Sequence, residues 1–397
     1  MPKLFNMRVS YSAVFASLAA AVIIPSPLGG PHSVAYKVKT FEDSARWDPY
    51  APEDKPEKRR VLVSAYVPLD QKNCTNDVVP YMPPTTAKVM AQVSGSFGVP
   101  VPDDVFDDLE LEFCDLGRPC RSKRNSAKEG YPLVLFSPGR GGSRLAYGLL
   151  ARTLASYGYI VITMDHTYET SIVEFPDGSV VYAVNANNSE VKFVTRLVET
   201  RQADVSFLID QLTTPSVAAQ LLDGTKATID SQKIFVYGHS LGGATAAEAV
   251  RVDQRVLGGL NFDGAMYGPI TTEGTDRPFV MVGTPISLNR TLDGIAPWNQ
   301  TWANLRGPAL LPIINGTEHN TFLDAPQLPT IKALLPDFGP LVAQLLGTID
   351  GDRAGYLTTE IVRAALQLVF DGNKEGFCNI GKLGPEITYQ IKGVDCT

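Results

Sequence analysis

The residues with the clearest chemical potential lie in Gln232–Ala246. There an apolar run, Ile234 to Tyr237, meets Gly238-His239-Ser240-Leu241-Gly242-Gly243 and then small helix formers. A serine at a sharp bend between strand and helix is the G-x-S-x-G nucleophile elbow. The bend needs glycine on both sides, and it lifts the serine hydroxyl out at the C-terminal edge of a sheet. With 34 glycines in 397 residues, the bare pattern would arise by chance on the order of 0.2 times. The strand before it and the helix after it therefore carry the reading.

A serine hydroxyl is a weak nucleophile at neutral pH. It needs a histidine to take its proton and a carboxylate to orient that histidine. The chain has four histidines. His32 lies in the N-terminal segment, and His239 lies inside the elbow with its side chain expected to point away from its neighbour's site. His166 precedes the serine, and it is expected to line the pocket. The chain order of this arrangement is Ser, acid, His, and only His319 follows Ser240. His319 sits in Asn315–Asn320, a turn after a strand, and is the expected base. For the acid, Asp263 is the best candidate because it ends the strand after the elbow; Asp293 and Glu273 compete. The oxyanion formed by attack on a carbonyl needs preorganised N–H donors. The backbone N–H of Leu241 is one. The glycine-rich stretch Gly139-Arg140-Gly141-Gly142 offers the other, at Arg140.

These residues need a scaffold, and the chain supplies a rhythm of strands and helices. Strands are expected at Arg60–Pro68, Pro132–Ser137, Tyr159–Met164, Leu257–Phe262, Phe279–Gly283 and Leu310–Asn315. Helices are expected at Arg144–Tyr157, at Val191–Leu212, after the elbow, and at Leu357–Phe370, with Thr358 or Thr359 near the start of the last. Alternation of this kind implies a mostly parallel sheet covered on both faces, an α/β fold with its site at the strands' carboxyl ends. Residues 25–60 are expected to wrap the surface. Residues 70–130 read as an excursion from the sheet, partly helical at Thr86–Phe97. Their acidic run at Asp103–Asp108 and basic run at Arg121–Lys128 read as solvated faces. Asp350–Gly355 has the look of a calcium loop, but Ile361 stands where a bidentate Glu is required, so it reads as a helix start. No cofactor and no metal are implied.

The totals describe an ordinary globular chain, 44% hydrophobic and 19% charged. A formal net charge of -7 argues against nucleic acid as a partner. Lys3 and Arg8 precede an apolar run and Ala19-Ala20-Ala21, which describes a secretory signal peptide over 1–24. In an oxidising compartment the five cysteines would pair. Cys378 with Cys396 is the expected tail bridge, and Cys74 pairs with Cys114 or Cys120. Sequons at Asn73, Asn187, Asn289, Asn299 and Asn315 fit a secreted glycoprotein.

Taken together, these blocks resemble the secreted platelet-activating-factor acetylhydrolases, serine esterases of the α/β-hydrolase superfamily. The likeness runs from about residue 25 to 371. It is carried by Ile24-Pro25 through Gly30–Val34, Leu135–Gly141, Gly238–Thr245, Asp263, Gly316–Asp324 and the segment from Asp350 to Phe370. The resemblance implies a single α/β-hydrolase domain, a Ser240–Asp263–His319 triad, and hydrolysis of short acyl groups at the sn-2 position of a phospholipid. The expected partner is a small-molecule or phospholipid ester, and transient contact with a lipid surface is left open. Pro138 departs from the family's histidine in the oxyanion loop. The insertion at 70–130 and the tail after Gly372 extend beyond the core pattern, which leaves the substrate open. A broader carboxylesterase or polyester hydrolase, with Trp298 to Trp302 contacting substrate, is the first rival. A catalytically inactive binding protein is the second, and the retained order of serine, acid and histidine argues against it.

Overall fold

The computed structural model describes residues 21–24, 29–69, 74, 76–96, 101–117, 130–184, 188–287 and 298–397. A nine-stranded sheet is built from β1 (Ser33–Trp47), β2 (Lys58–Leu69), β3 (Tyr131–Ser137), β4 (Ile160–His166), β5 (Ile229–His239), β6 (Val256–Phe262), β7 (Phe279–Val282), β8 (Ala309–Ile314) and β9 (Ile387–Lys392). Their spatial order is β9-β8-β7-β6-β5-β3-β4-β2-β1. Strands β3 to β8 run parallel, while β2 and β9 run antiparallel to their neighbours. Parallel strands need crossovers, and helices supply them. The fold is that of an α/β-hydrolase.

Alternation along the strands decides which helix covers which face. Phe235 and Tyr237 of β5 pack with α2 (Gly148–Ser156) and α6 (Gly351–Asp371). Ile234 and Val236 pack with α3 (Val191–Thr213) and α4 (Leu241–Val252). Each such fully buried large side chain contributes about 1.5–3 kcal/mol. The parallel strands are buried on both faces, and for that reason they read as continuous apolar runs.

Two expectations need correction. Residues 33–47 do not wrap the surface; they form the long edge strand β1, paired with β2 from Ser33–Leu69 to Trp47–Lys58. Its lysines at 37 and 39 keep the edge polar and mask the strand pattern. Helix α6 begins at Gly351 rather than near Thr358, because Asp350 caps it by accepting from the Arg353 N–H at 2.9 Å. Thr358 lies mid-helix and donates to the Ala354 carbonyl. Val22–Ile24, at the end of the expected leader, pair with Leu109–Leu111, and Ile24 is buried. Residues 1–20 lie outside the described residues.

The excursion after β2 packs across the carboxyl end of the sheet. It contributes Asn76–Pro80, helix α1 (Pro84–Gly95) and Leu109–Cys114. Met82, Met90, Val105 and Phe106 join the core on the α2 and α6 face. The acidic side chains Asp103, Asp104, Asp107 and Asp108 are exposed, and the basic run lies outside the described residues. Cys74 bridges Cys114, which ties the excursion's ends together, and Cys378 bridges Cys396. Cys120 lies outside the described residues. Among the described residues, no helix is long and apolar enough to cross a membrane.

Candidate active site

The site begins at the elbow. Ser240 holds φ 55° and ψ -122°, a left-handed conformation that costs about 1–3 kcal/mol in a non-glycine residue. Its N–H is fixed to the Phe262 carbonyl at 2.8 Å. A Cβ at Gly238 would strike the Gly242 carbonyl, and one at Gly242 would strike the Ser137 carbonyl. The turn is therefore closed to any other residue at those two positions. Leu241 opens α4, so the positive end of that helix faces the serine.

Two loops converge on the hydroxyl. His319, just after β8, places Nε2 2.9 Å from Ser240 Oγ, and its Nδ1 lies 2.6 Å from Asp263 Oδ2. Asp263 follows β6 in a left-handed turn with φ 48° and is fully buried. Its other oxygen accepts from the Ser287 hydroxyl, which in turn accepts from the Thr284 N–H at 2.8 Å. The turn is braced by Asn261, whose amide oxygen accepts from Gly264 N–H and whose amide nitrogen donates to the Gly264 carbonyl, both at 2.8 Å. Of the competing acids, Glu273 pairs with Arg251 at 2.7 Å on the surface, and Asp293 lies outside the described residues. A serine, a histidine and a buried carboxylate in this order can move a proton off the hydroxyl and stabilise the imidazolium that results.

The glycine-rich loop after β3, expected to hold the oxyanion, is pinned at several points. Gly142 N–H donates to the Gly139 carbonyl at 3.0 Å, Gly139 N–H donates to the Tyr147 hydroxyl at 3.2 Å, and Arg201 donates to the Pro138 carbonyl at 2.7 Å. The loop, Arg140 included, lines a cleft of about 400 Å³ with Ser240 and His319. The far walls are apolar. The excursion supplies Met82, Met90 and Phe106; the segment after His319 supplies Leu328, Leu334 and Val342.

Three residues expected at the pocket are elsewhere. His166 is fully buried beneath the cleft, with Nε2 2.9 Å from Ser137 Oγ and Nδ1 2.8 Å from Asp204. Burial pushes its imidazole down to about 3, so it is neutral. Arg59 lies against Asp204, Asp48 and Glu169, and Glu169 also receives Arg201. This buried network ends on the Pro138 carbonyl and so supports the glycine-rich loop from below. A position at a strand's end does not reveal whether a side chain enters the cleft or the layer beneath it. Trp298 is buried and donates to the Gly264 carbonyl at 2.9 Å. Trp302 packs beside it under the Lys392 ammonium, 4.7 Å from the ring. Both brace the acid's side of the sheet rather than contact the cleft.

Sequence reasoning missed Asp324, in the same loop as His319. It is buried, and it accepts from Leu149 N–H at 3.1 Å and Tyr81 O–H at 3.2 Å. It thus joins the excursion to the start of α2. Its burial outweighs these donors and raises the carboxyl to about 7. Between pH 4 and 7 the native state then holds a proton that the unfolded chain has lost, so stability falls as pH rises across that window. Asp324→Asn is expected to abolish this part of the slope. Urea unfolding free energies of both proteins at pH 5 and pH 8 check it: the native protein should lose roughly 2–3 kcal/mol more than the variant between the two values.

The comparisons agree with this architecture. A family model described as platelet-activating factor acetylhydrolase, isoform II, matches residues 59–328, from β2 past His319 to Leu328. The chain belongs to this acetylhydrolase family. A relative from Arthroderma benhamiae named "Probable 1-alkyl-2-acetylglycerophosphocholine esterase" is 27% identical over 95% of both chains. The platelet-activating factor acetylhydrolase of Bos taurus is 32% identical over 35% of this chain and 36% of its own length. A ferulic acid esterase from Streptomyces cinnamoneus superposes with a TM-score of 0.73 at 26% identity, over 93% of this chain and 99% of that one. This acetylhydrolase family member is a carboxylic ester hydrolase.

Proposed function

We propose that Ser240, His319 and Asp263 hydrolyse short acyl esters in two steps, with the sn-2 acetyl group of platelet-activating-factor-like phospholipids as the preferred substrate. His319 takes the Ser240 proton, Ser240 attacks the carbonyl, and Asp263 steadies the imidazolium. The N–H groups of Leu241 and Arg140 hold the oxyanion. The alcohol leaves with the proton from His319, and water attacks the acyl-enzyme by the reverse sequence. The carrying observation is the unbroken hydrogen-bond chain Ser240–His319–Asp263 opening into an apolar cleft. The named acetylglycerophosphocholine esterase that spans nearly the whole chain supports the substrate. We further propose that the protein is secreted and glycosylated, with residues 1–24 as its leader. Two of its sequons, Asn299 and Asn315, are exposed.

A broader carboxylesterase activity is the second reading. It is favoured by the ferulic acid esterase neighbour and by the insertion-built walls of the cleft. A panel of esters separates the two. Acetyl glycerophosphocholine is expected to be hydrolysed at least tenfold faster, as kcat/KM, than its palmitoyl counterpart and than methyl ferulate (about 1.4 kcal/mol of discrimination). Equal rates, or preference for the ferulate, would transfer the assignment to the second reading. Failure of the intact protein to react with a fluorophosphonate would overturn both.

A further inference from the structure

The elbow histidine does not serve Ser240, yet it is built into the site. His239 Nε2 lies 2.8 Å from the carbonyl oxygen of His319, and its Nδ1 lies 2.9 Å from the Tyr147 hydroxyl. Tyr147 accepts in turn from the Gly139 N–H. Both side chains are almost wholly buried and border the cleft. The imidazole rings of His239 and His319 are 4.6 Å apart, centroid to centroid.

For a neutral His239 the partners fix the direction of every bond. A carbonyl only accepts, so the proton of His239 sits on Nε2. Nδ1 then carries a lone pair and must accept, so the Tyr147 hydroxyl proton points at it. The Tyr147 oxygen is left to accept from Gly139. The result is one string: Gly139 N–H to Tyr147, Tyr147 O–H to His239, His239 Nε2–H to the His319 carbonyl. One end is the residue before the proposed oxyanion donor Arg140. The other is the backbone of the proposed base. The string crosses from the loop after β3 to the loop after β8, elements joined here by no sheet pairing.

We propose that Tyr147 and His239 are positioning residues, which set the distance between the oxyanion donor and the base that serve Ser240. This rests on the triad reading above. Oxyanion donors and bases act over a few tenths of an ångström, so a slackened string would lower transition-state stabilisation while leaving the apolar cleft able to bind ester. Groups that act as one unit also show strongly non-additive losses.

The test is a double-mutant cycle of Tyr147→Phe and His239→Phe on an activated acetyl ester, with fluorophosphonate labelling rates alongside. Tyr147→Phe is expected to lower kcat at least tenfold with KM within about twofold of native, and to slow labelling in proportion. The double variant should be no slower than His239→Phe alone. His239→Gln places an amide nitrogen near the Nε2 position, and it is expected to recover part of what His239→Phe loses. A kcat within twofold of native in Tyr147→Phe, losses that simply add, or a loss confined to KM would each overturn the proposal. If Tyr147→Phe does not fold, the two His239 variants decide: equal kcat in both overturns it. Failure of the triad reading is distinct, because the unmutated protein would then neither label nor turn over.

Discussion

Ser240→Ala is expected to reduce ester hydrolysis by about 10⁶-fold and to abolish fluorophosphonate labelling, while the thermal unfolding curve stays in place or moves up. The size follows from the mechanism proposed. Without the hydroxyl there is no acyl-enzyme route, and the remaining donors of Leu241 and Arg140 can only assist direct attack by water. That assistance leaves a residue of roughly 10³–10⁴ over the uncatalysed rate. The stability expectation has a separate cause. The strain at φ 55° is a property of any non-glycine residue at position 240, so alanine neither adds nor relieves it. Alanine removes only a hydroxyl that faces the cleft and His319. Hydrolysis assays with labelling on the same preparation check the result; a variant that kept a tenth of native activity would rule Ser240 out as nucleophile.

Asp263→Asn is expected to lower kcat by about 10⁴-fold with little change in KM, for a reason specific to this chain. Ser287 donates its hydroxyl to one oxygen of Asp263, and the Thr284 N–H holds Ser287 in place. An asparagine here keeps its carbonyl oxygen toward that donor. Its NH₂ group is then forced toward His319 Nδ1, which must accept instead of donate. The imidazole proton moves to Nε2, and Nε2 can no longer take the proton of Ser240. The side chain keeps its shape, so substrate binding in the cleft is preserved. Steady-state kinetics on an activated acetyl ester check the split between kcat and KM. A fall of less than tenfold would point to another carboxylate as the orienting acid.

Some of the site was legible without coordinates because local chemistry is written in local sequence. The strand-Gly-x-Ser-x-Gly-helix pattern at 232–246 encodes its own turn, since no other residues fit at Gly238 and Gly242. With four histidines and a fixed chain order, elimination reached His319. The parallel core was legible too, because strands buried on both faces must be apolar throughout. Edge strand β1 was not, because its lysines and its single packed face blur the alternation.

Only tertiary structure decided what lies beyond reach of local pattern. Asp263 stood beside Asp293 and Glu273 until β7 paired between β6 and β8, which brings the loops after β6 and β8 together and puts its carboxylate against His319. His166, Trp298 and Trp302 sat at plausible strand ends and loops, yet none lines the cleft: all three pack in the layers outside it, and His166 and Trp298 find hydrogen-bond partners there. Asp324, Tyr147 and His239 carry no sequence signal for their roles. Each is defined by partners far along the chain, and such partners exist only once the sheet has closed. The sequence by itself determined the turn around Ser240, the choice of His319 as its partner and the fold class. The packing of distant loops over the sheet's carboxyl end decided the surroundings of Asp263, the walls of the cleft and the string of hydrogen bonds from Gly139 to the His319 carbonyl.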